Sequence, residues 1–524
     1  MSGKAWILAA LIALAGCGNQ NGAGGGTGAA AVQPDQVDPQ VLRAAVADER
    51  VERFYEARNW QPAWTAGEAR VVVEAIGDAE RHALDSGRFL AEAEEADTPS
   101  AREAALSLAA LSYAEALARG RTDPQRIRDV YTVARPNPEL AAGLNQALQN
   151  GQVGQWLASL APQDDEYRAL SEAYLRYSRR AGREQRSPIG AGDPIRPGGS
   201  DPRIPQIAER LRAEGYLAAP AREPQAEQGK QDKQARQTER PNPNRYTPEI
   251  AAAVRRLQQE YGLEATGTIG PDTLTALNAG SFDRARTLAV NLERRRWLER
   301  TPPATRIDVN TAAATLSYWR GNTLADRRRV VVGQPGNETP QLGSPIFRLV
   351  ANPSWTVPKS IEEEEIAPKG EAYLRRNNMI RRDGMIVQLP GPTNALGQVK
   401  FDMQNDHAIY LHDTPAKALF AEEQRHFSHG CVRVHDALGF ARLIAGQEGV
   451  LEEFERGLAT GEETFVPLPR RIPVRLLYQT AFVEDGRVMF RADPYGWDDD
   501  VARALGLAAR ERGASPTHRP DVGP

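Results

Sequence analysis

The feature that most constrains what this chain can fold into is a change of hydrophobic period near residue 300. Before it, apolar residues recur at helical spacing. Val41, Leu42, Ala45 and Val46 share one helix face, and Ala101 to Arg119 is an alanine-rich run of strong helix formers. After it, residues 306–309, 329–332, 348–350, 399–403, 408–411 and 474–478 are short runs rich in β-branched and apolar side chains. Gly, Pro and Asn separate them, so they read as strands. A length of 524 residues exceeds what one core serves. The expectation is a multidomain α+β protein with its helical part first and its β-rich part last.

Composition marks the joints. Residues 18–33 are Gly, Asn, Gln, Thr and Ala, which cannot bury enough surface to fold and read as a tether. Gly182 to Pro202 is rich in Gly, Pro and Arg and reads as a linker, and Glu223 to Pro243 as an exposed, disordered insertion. Three short helices lie around that insertion. The first carries Ile204, Ile207 and Leu211 with Gly215 as its cap, the second carries Ile250, Val254, Leu257 and Tyr261, and the third starts at Pro271. Glu362 to Asn378 interrupts the strands with a charged, helix-permitting stretch long enough to be a lid over a cleft. The expected divisions are 1–17 signal, 18–35 tether, 36–198 helical scaffold and 199–280 three-helix module with an insertion at 223–243. They continue with 281–304 as a connecting helix, 305–482 as a β-rich catalytic domain with a lid at about 358–390, and 483–524 as a C-terminal segment ending in a polar tail.

Acidic and basic residues nearly balance, giving a net charge of −4 and no broad basic surface, so nucleic acid is not an expected partner. Only Cys17 and Cys431 occur, which rules out a disulfide framework and leaves each cysteine to be explained alone. His82 stands by itself and reads as a packed or surface histidine. The other region is different, because His407, His412, His426, His429 and His435 fall within 29 residues that also hold Cys431. A free thiol with a pKa near 8.5 is mostly protonated at neutral pH, so a nucleophilic cysteine needs a positive partner such as an imidazole. His412 and His429 are the available ones. A zinc site has plausible ligand types here, but a closed structural site takes four ligands at regular spacing. An inert buried cysteine leaves the flanking Ser-His-Gly and Arg unexplained, and in papain-like proteases the cysteine precedes its histidine. No metal or cofactor is required.

Ser428-His429-Gly430-Cys431-Val432-Arg433, with a histidine 19 residues before the cysteine, resembles the signature of L,D-transpeptidases with a YkuD-type catalytic domain. The likeness extends to the large periplasmic YcbB-like members over roughly 40–498. It runs through Phe54-Tyr55, Trp60 to Trp64, Asn291 to Trp297, Thr339-Pro340, Asn352 to Trp355, Pro390 to Gly397 and Asp493 to Gly496. Tyr246 to Asn278 resembles a peptidoglycan-binding type 1 module. Lys4, the apolar run Ala5 to Ala13 and Leu14-Ala15-Gly16-Cys17 resemble a bacterial lipoprotein signal, too short to span a bilayer.

These resemblances imply roles. Cys431 is the nucleophile and His412 the base, its other ring nitrogen held by a backbone carbonyl or by Asp413. The N–H groups of Gly430 and Cys431 face the oxyanion. His429 and Ser428 support the site, Arg433 suits a carboxylate, and Tyr410, Trp355 and Asn394 line the cleft. The implied reaction takes the acyl group of the third residue of a tetrapeptide stem, releases D-Ala and forms a 3→3 cross-link. Hydrolysis or lipoprotein attachment are alternative outcomes of the same thioester, carbapenems are implied inhibitors, and a non-catalytic wall-anchoring lipoprotein is the alternative of another class. The implied partners are peptidoglycan and, through a lipid on Cys17, the membrane. The implied location is the periplasm, on the outer membrane because Gly18 rather than an acidic residue follows Cys17. The oligomeric state stays open.

Overall fold

The computed structural model describes residues 36–183, 186–218 and 242–509. Cys17 with its signal and tether, nearly all of the 223–243 insertion and the polar tail lie outside these residues. No helix among the described residues is long and apolar enough to cross a membrane.

The chain is helical up to Arg296 and then builds sheets, as the change of period predicts. The scaffold helices start where Asp38, Asp48, Thr65, Thr98, Asp123 and Asp164 accept hydrogen bonds from first-turn N–H groups, and Thr65 with Glu68 forms a full capping box. They pack around Pro99–Arg119, whose small alanines admit neighbours on several sides. Within this core the Tyr55 hydroxyl meets Glu103 Oε1 at 3.0 Å and Ser107 Oγ at 2.7 Å, and Trp64 Nε1 donates to Ser107 Oγ at 2.9 Å. The Phe54-Tyr55 and Trp60 to Trp64 motifs are therefore packing motifs of the scaffold.

The three module helices are Ile204–Ala213, Pro248–Tyr261 and Pro271–Asn278. The expected linker before them is corrected in part. Ile189 and Ile195 are buried in the module core, and Ile195 bridges to Ile269, so the segment's apolar residues outweigh its Gly and Pro content.

Helix Ser281–Arg296 is buried along nearly all its length and joins every part of the molecule. Leu288 and Leu292 enter the scaffold core, Arg284 pairs with Glu214 of the module, and Arg294 reaches Asp498 near the C-terminus at 2.5 Å. Glu293 is its hub. Its carboxylate accepts from Thr122 N and Oγ1 at 2.7 Å each and from Arg296 at 2.7 Å, with no exposure of either charged side chain.

The strands are β1 Arg306–Asn310, β2 Thr315–Arg320, β3 Thr323–Gly333, β4 Gly343–Ala351, β5 Trp355–Thr356, β6 Met379–Arg382, β7 Met385–Gln388, β8 Val399–Met403, β9 Leu411–His412, β10 His426–Ser428, β11 Val432–Val434, β12 Thr464–Leu477, β13 Ala481–Glu484 and β14 Arg487–Phe490. Nine form one sheet in the order β10-β3-β11-β9-β8-β4-β12-β1-β2, and pairing of β2 with the first half of β3 closes it on itself. Leu349, Phe401, Leu411, Val432 and Val474 point into its core, where Phe440 and Phe454 of helices 437–448 and 451–460 pack. Two expectations change. The run 408–411 yields only the two residues of β9, because Ala408 adopts a left-handed φ of +54° and turns the chain. The strand expected at 474–478 begins at Thr464, since Pro467, Pro469 and Pro473 hid its first half. The segment after 482 is more than a tail: β13 and β14 form a hairpin whose Phe490 stacks on Tyr261 of the module at 5.6 Å and meets Tyr177 of the scaffold at 6.2 Å.

Removing one partner of a buried ion pair strands the other charge. Glu293→Ala is expected to lower unfolding free energy by about 3–5 kcal/mol in chemical denaturation, whereas an exposed change such as Glu74→Ala leaves it within about 0.5 kcal/mol.

Candidate active site

Two register pairs decide which side chains meet. Strand β11 runs parallel to β9 with Val432 opposite Leu411 and Arg433 opposite His412. Because strand residues alternate between faces, Leu411 and Val432 enter the core while His412 and Arg433, with Tyr410 and Cys431 at the strand ends, fall on the opposite face. Cys431 thus sits across from Tyr410, and His412 lies one strand over and two residues along, about 8 Å from it between Cβ positions. On the other side Lys400 of β8 pairs with His412.

Gly430 adopts φ +111°, which a side chain would strain, and the turn it makes brings Cys431 onto the face. Three hydrogen bonds fix that turn. Thr339 Oγ1 donates to Gly430 O at 2.8 Å, Ser428 Oγ donates to Cys431 O at 2.5 Å, and Gly430 N donates to Ser428 Oγ at 3.2 Å. The last corrects the expectation that the Gly430 N–H faces an oxyanion, since Ser428 already holds it.

The Cys431 side chain is partly exposed, and Sγ points to Ala408 O at 3.7 Å. That carbonyl is presented by a loop in which Asn405 Oδ1 accepts from His407 N at 3.0 Å and Ile409 N at 3.1 Å. Among the described residues no hydrogen bond joins Sγ to an imidazole. The expected direct Cys431–His412 bond is therefore absent from this arrangement, because the register sets the two side chains diagonally. His412 Nδ1 is bonded to the carbonyl of Asp413 at 2.5 Å, so Nδ1 carries the hydrogen and Nε2 is left as the basic nitrogen. The Asp413 carboxylate is used elsewhere, accepting from Gln398 N at 3.0 Å and pairing with Lys417.

Burial raises the Cys431 pKa, while Tyr410, Lys400 and Arg433 all favour the thiolate. Burial, then the charge of Arg433, lowers His412 to about 3, so its ring is neutral in the folded protein. Lys400 Nζ lies 4.3 Å from the centre of the Tyr410 ring and 3.1 Å from Asp402. Trp355 is buried in the lid cluster, against which Tyr410 packs. Asn394 does not line a cleft. It is fully buried, donating to Leu389 O at 3.0 Å and accepting from Leu396 N at 2.8 Å, and it shapes the 389–397 loop. Arg433 is buried on the catalytic face.

The histidine cluster splits. His412 and His429 belong to the site. His426 bonds Thr311 O at 2.9 Å and abuts Tyr495, and His435 packs on Phe420. His429 Nε2 meets Glu365 of the lid at 2.7 Å. Among the described residues no group of three or more His, Cys, Asp or Glu is placed to hold a metal ion. Sequence reasoning passed over Lys400, Glu365 and the Ala408 carbonyl. Lys400 was visible only as one polar position of an alternating strand, Glu365 as one of four consecutive glutamates.

Three stretches of the chain match known families. Residues 304–454 match the family described as the L,D-transpeptidase catalytic domain (YkuD), 49–174 match a scaffold domain, and 200–277 match a "Putative peptidoglycan binding domain". A Haemophilus influenzae protein named "Putative L,D-transpeptidase" is 32% identical over 220 residues, covering 37% of this chain and 45% of that one. The chain thus spans less than half the length of that relative. Among solved structures, an L,D-transpeptidase from Stackebrandtia nassauensis is 13% identical, with 58% of this chain and 100% of that chain covered at a TM-score of 0.22. One from Xylanimonas cellulosilytica is 15% identical, with 55% and 98% covered at 0.18.

With its thiol pKa raised and His412 neutral, Cys431 should be alkylated by iodoacetamide at a rate that climbs steadily between about pH 7 and 9, without a step near 6.5. Tyr410→Phe should slow alkylation several-fold at fixed pH. A rate already flat by about pH 7 would contradict this picture.

Proposed function

We propose, from a chain whose residues 304–454 belong to the L,D-transpeptidase catalytic-domain family, that the protein cross-links peptidoglycan through a thioester on Cys431. The observation that carries this is the shared sheet face, where a partly exposed thiol and an imidazole whose Nδ1 is locked on the Asp413 carbonyl stand together beside Tyr410.

In the first half-reaction Sγ leaves Ala408 O and the Cys431 proton passes to His412 Nε2, the ring nitrogen left free of Asp413. The thiolate attacks the carbonyl carbon of the third stem residue. The C–N bond to the terminal D-Ala breaks, D-Ala leaves with the proton from His412, and the acyl group remains on sulfur. In the second, the side-chain amine of another stem attacks the thioester and gives its proton to His412, and the C–S bond breaks to return the thiolate. The product is a 3→3 cross-link. With the Gly430 N–H held by Ser428, the Cys431 N–H and the Tyr410 hydroxyl beside the sulfur are the donors that can meet the developing oxyanion. The module at 200–277 raises the local concentration of wall polymer at the cleft. A lipid on Cys17 holds the enzyme on the periplasmic side of the outer membrane, where it acts in cell-wall organisation and cell shape.

Incubation with tetrapeptide-rich muropeptides, followed by mass analysis, should show loss of D-Ala together with dimers. Loss of D-Ala alone would mean hydrolysis, and no change would favour a non-catalytic wall-binding lipoprotein. Cys431→Ser should abolish a covalent carbapenem adduct by intact mass, and His412→Ala should slow its formation by about 100-fold or more.

A further inference from the structure

The lid meets the nucleophile loop through a polar contact. Glu365 belongs to the short π-helical turn Glu362–Ile366, a geometry found mostly at functional sites. Its neighbours have other partners: Glu362 pairs with Lys359 at 2.8 Å and with Arg381 at 3.4 Å inside the lid, and Ile366 enters the apolar cluster that holds Trp355 and Tyr410. Glu365 alone of the four consecutive glutamates is seen bonding across to the nucleophile loop, with Oε1 at 2.7 Å from His429 Nε2. A carboxylate only accepts, so Nε2 carries the hydrogen. The other ring nitrogen, Nδ1, is buried and has no hydrogen-bond partner among the described residues, two residues from Cys431. A buried polar atom without a partner is costly, and a catalytic role is one of the few reasons a fold keeps one.

We propose that Glu365 is a positioning residue, which through Nε2 orients the His429 ring so that Nδ1 is presented to an N–H donor on the amine-bearing acceptor strand. The contact exists only while the lid covers the nucleophile, so closure and completion of the acceptor side are one event. His412, on the sheet face, takes and returns the protons of both half-reactions. His429, under the lid, holds an acceptor N–H in place without taking its proton. This rests on the transpeptidase reading above, which supplies the amine.

The test uses the full chain labelled with 15N-histidine, whose seven histidines give a tractable spectrum, as wild type, Glu365→Gln and Glu365→Ala, with His429→Gln to identify the ring signals. Long-range 1H–15N correlations should show His429 with hydrogen on Nε2 in the wild type and a mixture of tautomers in Glu365→Ala. Carbapenem acylation, which needs no amine, should stay within about twofold, while dimer formation should lose about tenfold, chiefly as a raised KM for the acceptor. Glu365→Gln keeps an accepting oxygen and should recover part of that loss. An unchanged His429 spectrum in Glu365→Ala, or a loss confined to acylation, would overturn the proposal. Were the wild type to form no acyl-enzyme at all, the transpeptidase reading would fail, and the tautomer spectra would still decide whether Glu365 orients the ring.

Discussion

The site depends on a parallel pairing only two residues long. Val432 opposite Leu411 and Arg433 opposite His412 determine that Cys431, Tyr410, His412 and Arg433 share one face. A slip of one residue would send the imidazole and the guanidinium into the apolar core and the leucine and valine into the cleft. So short a ladder does not hold its own register. It is held from outside, by antiparallel β3 pairing Val331 with Arg433, by β8 pairing Lys400 with His412, and by the Thr339 and Ser428 hydroxyls that fasten the Gly430 turn.

The electrostatics of that face oppose one another. Burial keeps both proton-bearing groups neutral, the thiol by raising its pKa and the imidazole by lowering its own. Lys400, over the Tyr410 ring, and Arg433, buried on the same face, supply positive potential that favours the thiolate. An ion pair does not pre-exist in this arrangement. Helix Ser281–Arg296 and the β13–β14 hairpin give Leu288, Leu292, Ala481 and Phe490 to the scaffold core, and Phe490 also stacks on Tyr261 of the three-helix module.

Much of this was legible in the sequence. The change of period near residue 300 gave the order of helical and β-rich parts, and the hexapeptide around Cys431 with the histidine 19 residues earlier gave two side chains that fold onto one face. Hidden were features set by three-dimensional context. Ala408 in a left-handed conformation cut a strand short, and three prolines disguised the start of β12. Asn394 reads equally as a cleft residue or as a loop pin, and only its three backbone partners decide for the pin. Whether Asp413 orients His412 with its carboxylate or its carbonyl is a matter of ångströms, invisible to spacing. Lys400 and Glu365 lie 31 and 66 residues from Cys431, and no local pattern separates them from other charged positions.

The central claim is that the acyl group passes through sulfur at position 431. Its most direct measurement is acid quenching of the enzyme during turnover on a tetrapeptide stem, followed by proteolysis and mass mapping of the trapped adduct. The account predicts the mass of the stem less D-Ala on the peptide that contains Cys431, removable by hydroxylamine as a thioester is. Turnover with no adduct on that peptide, or with the acyl group on another residue, would contradict it.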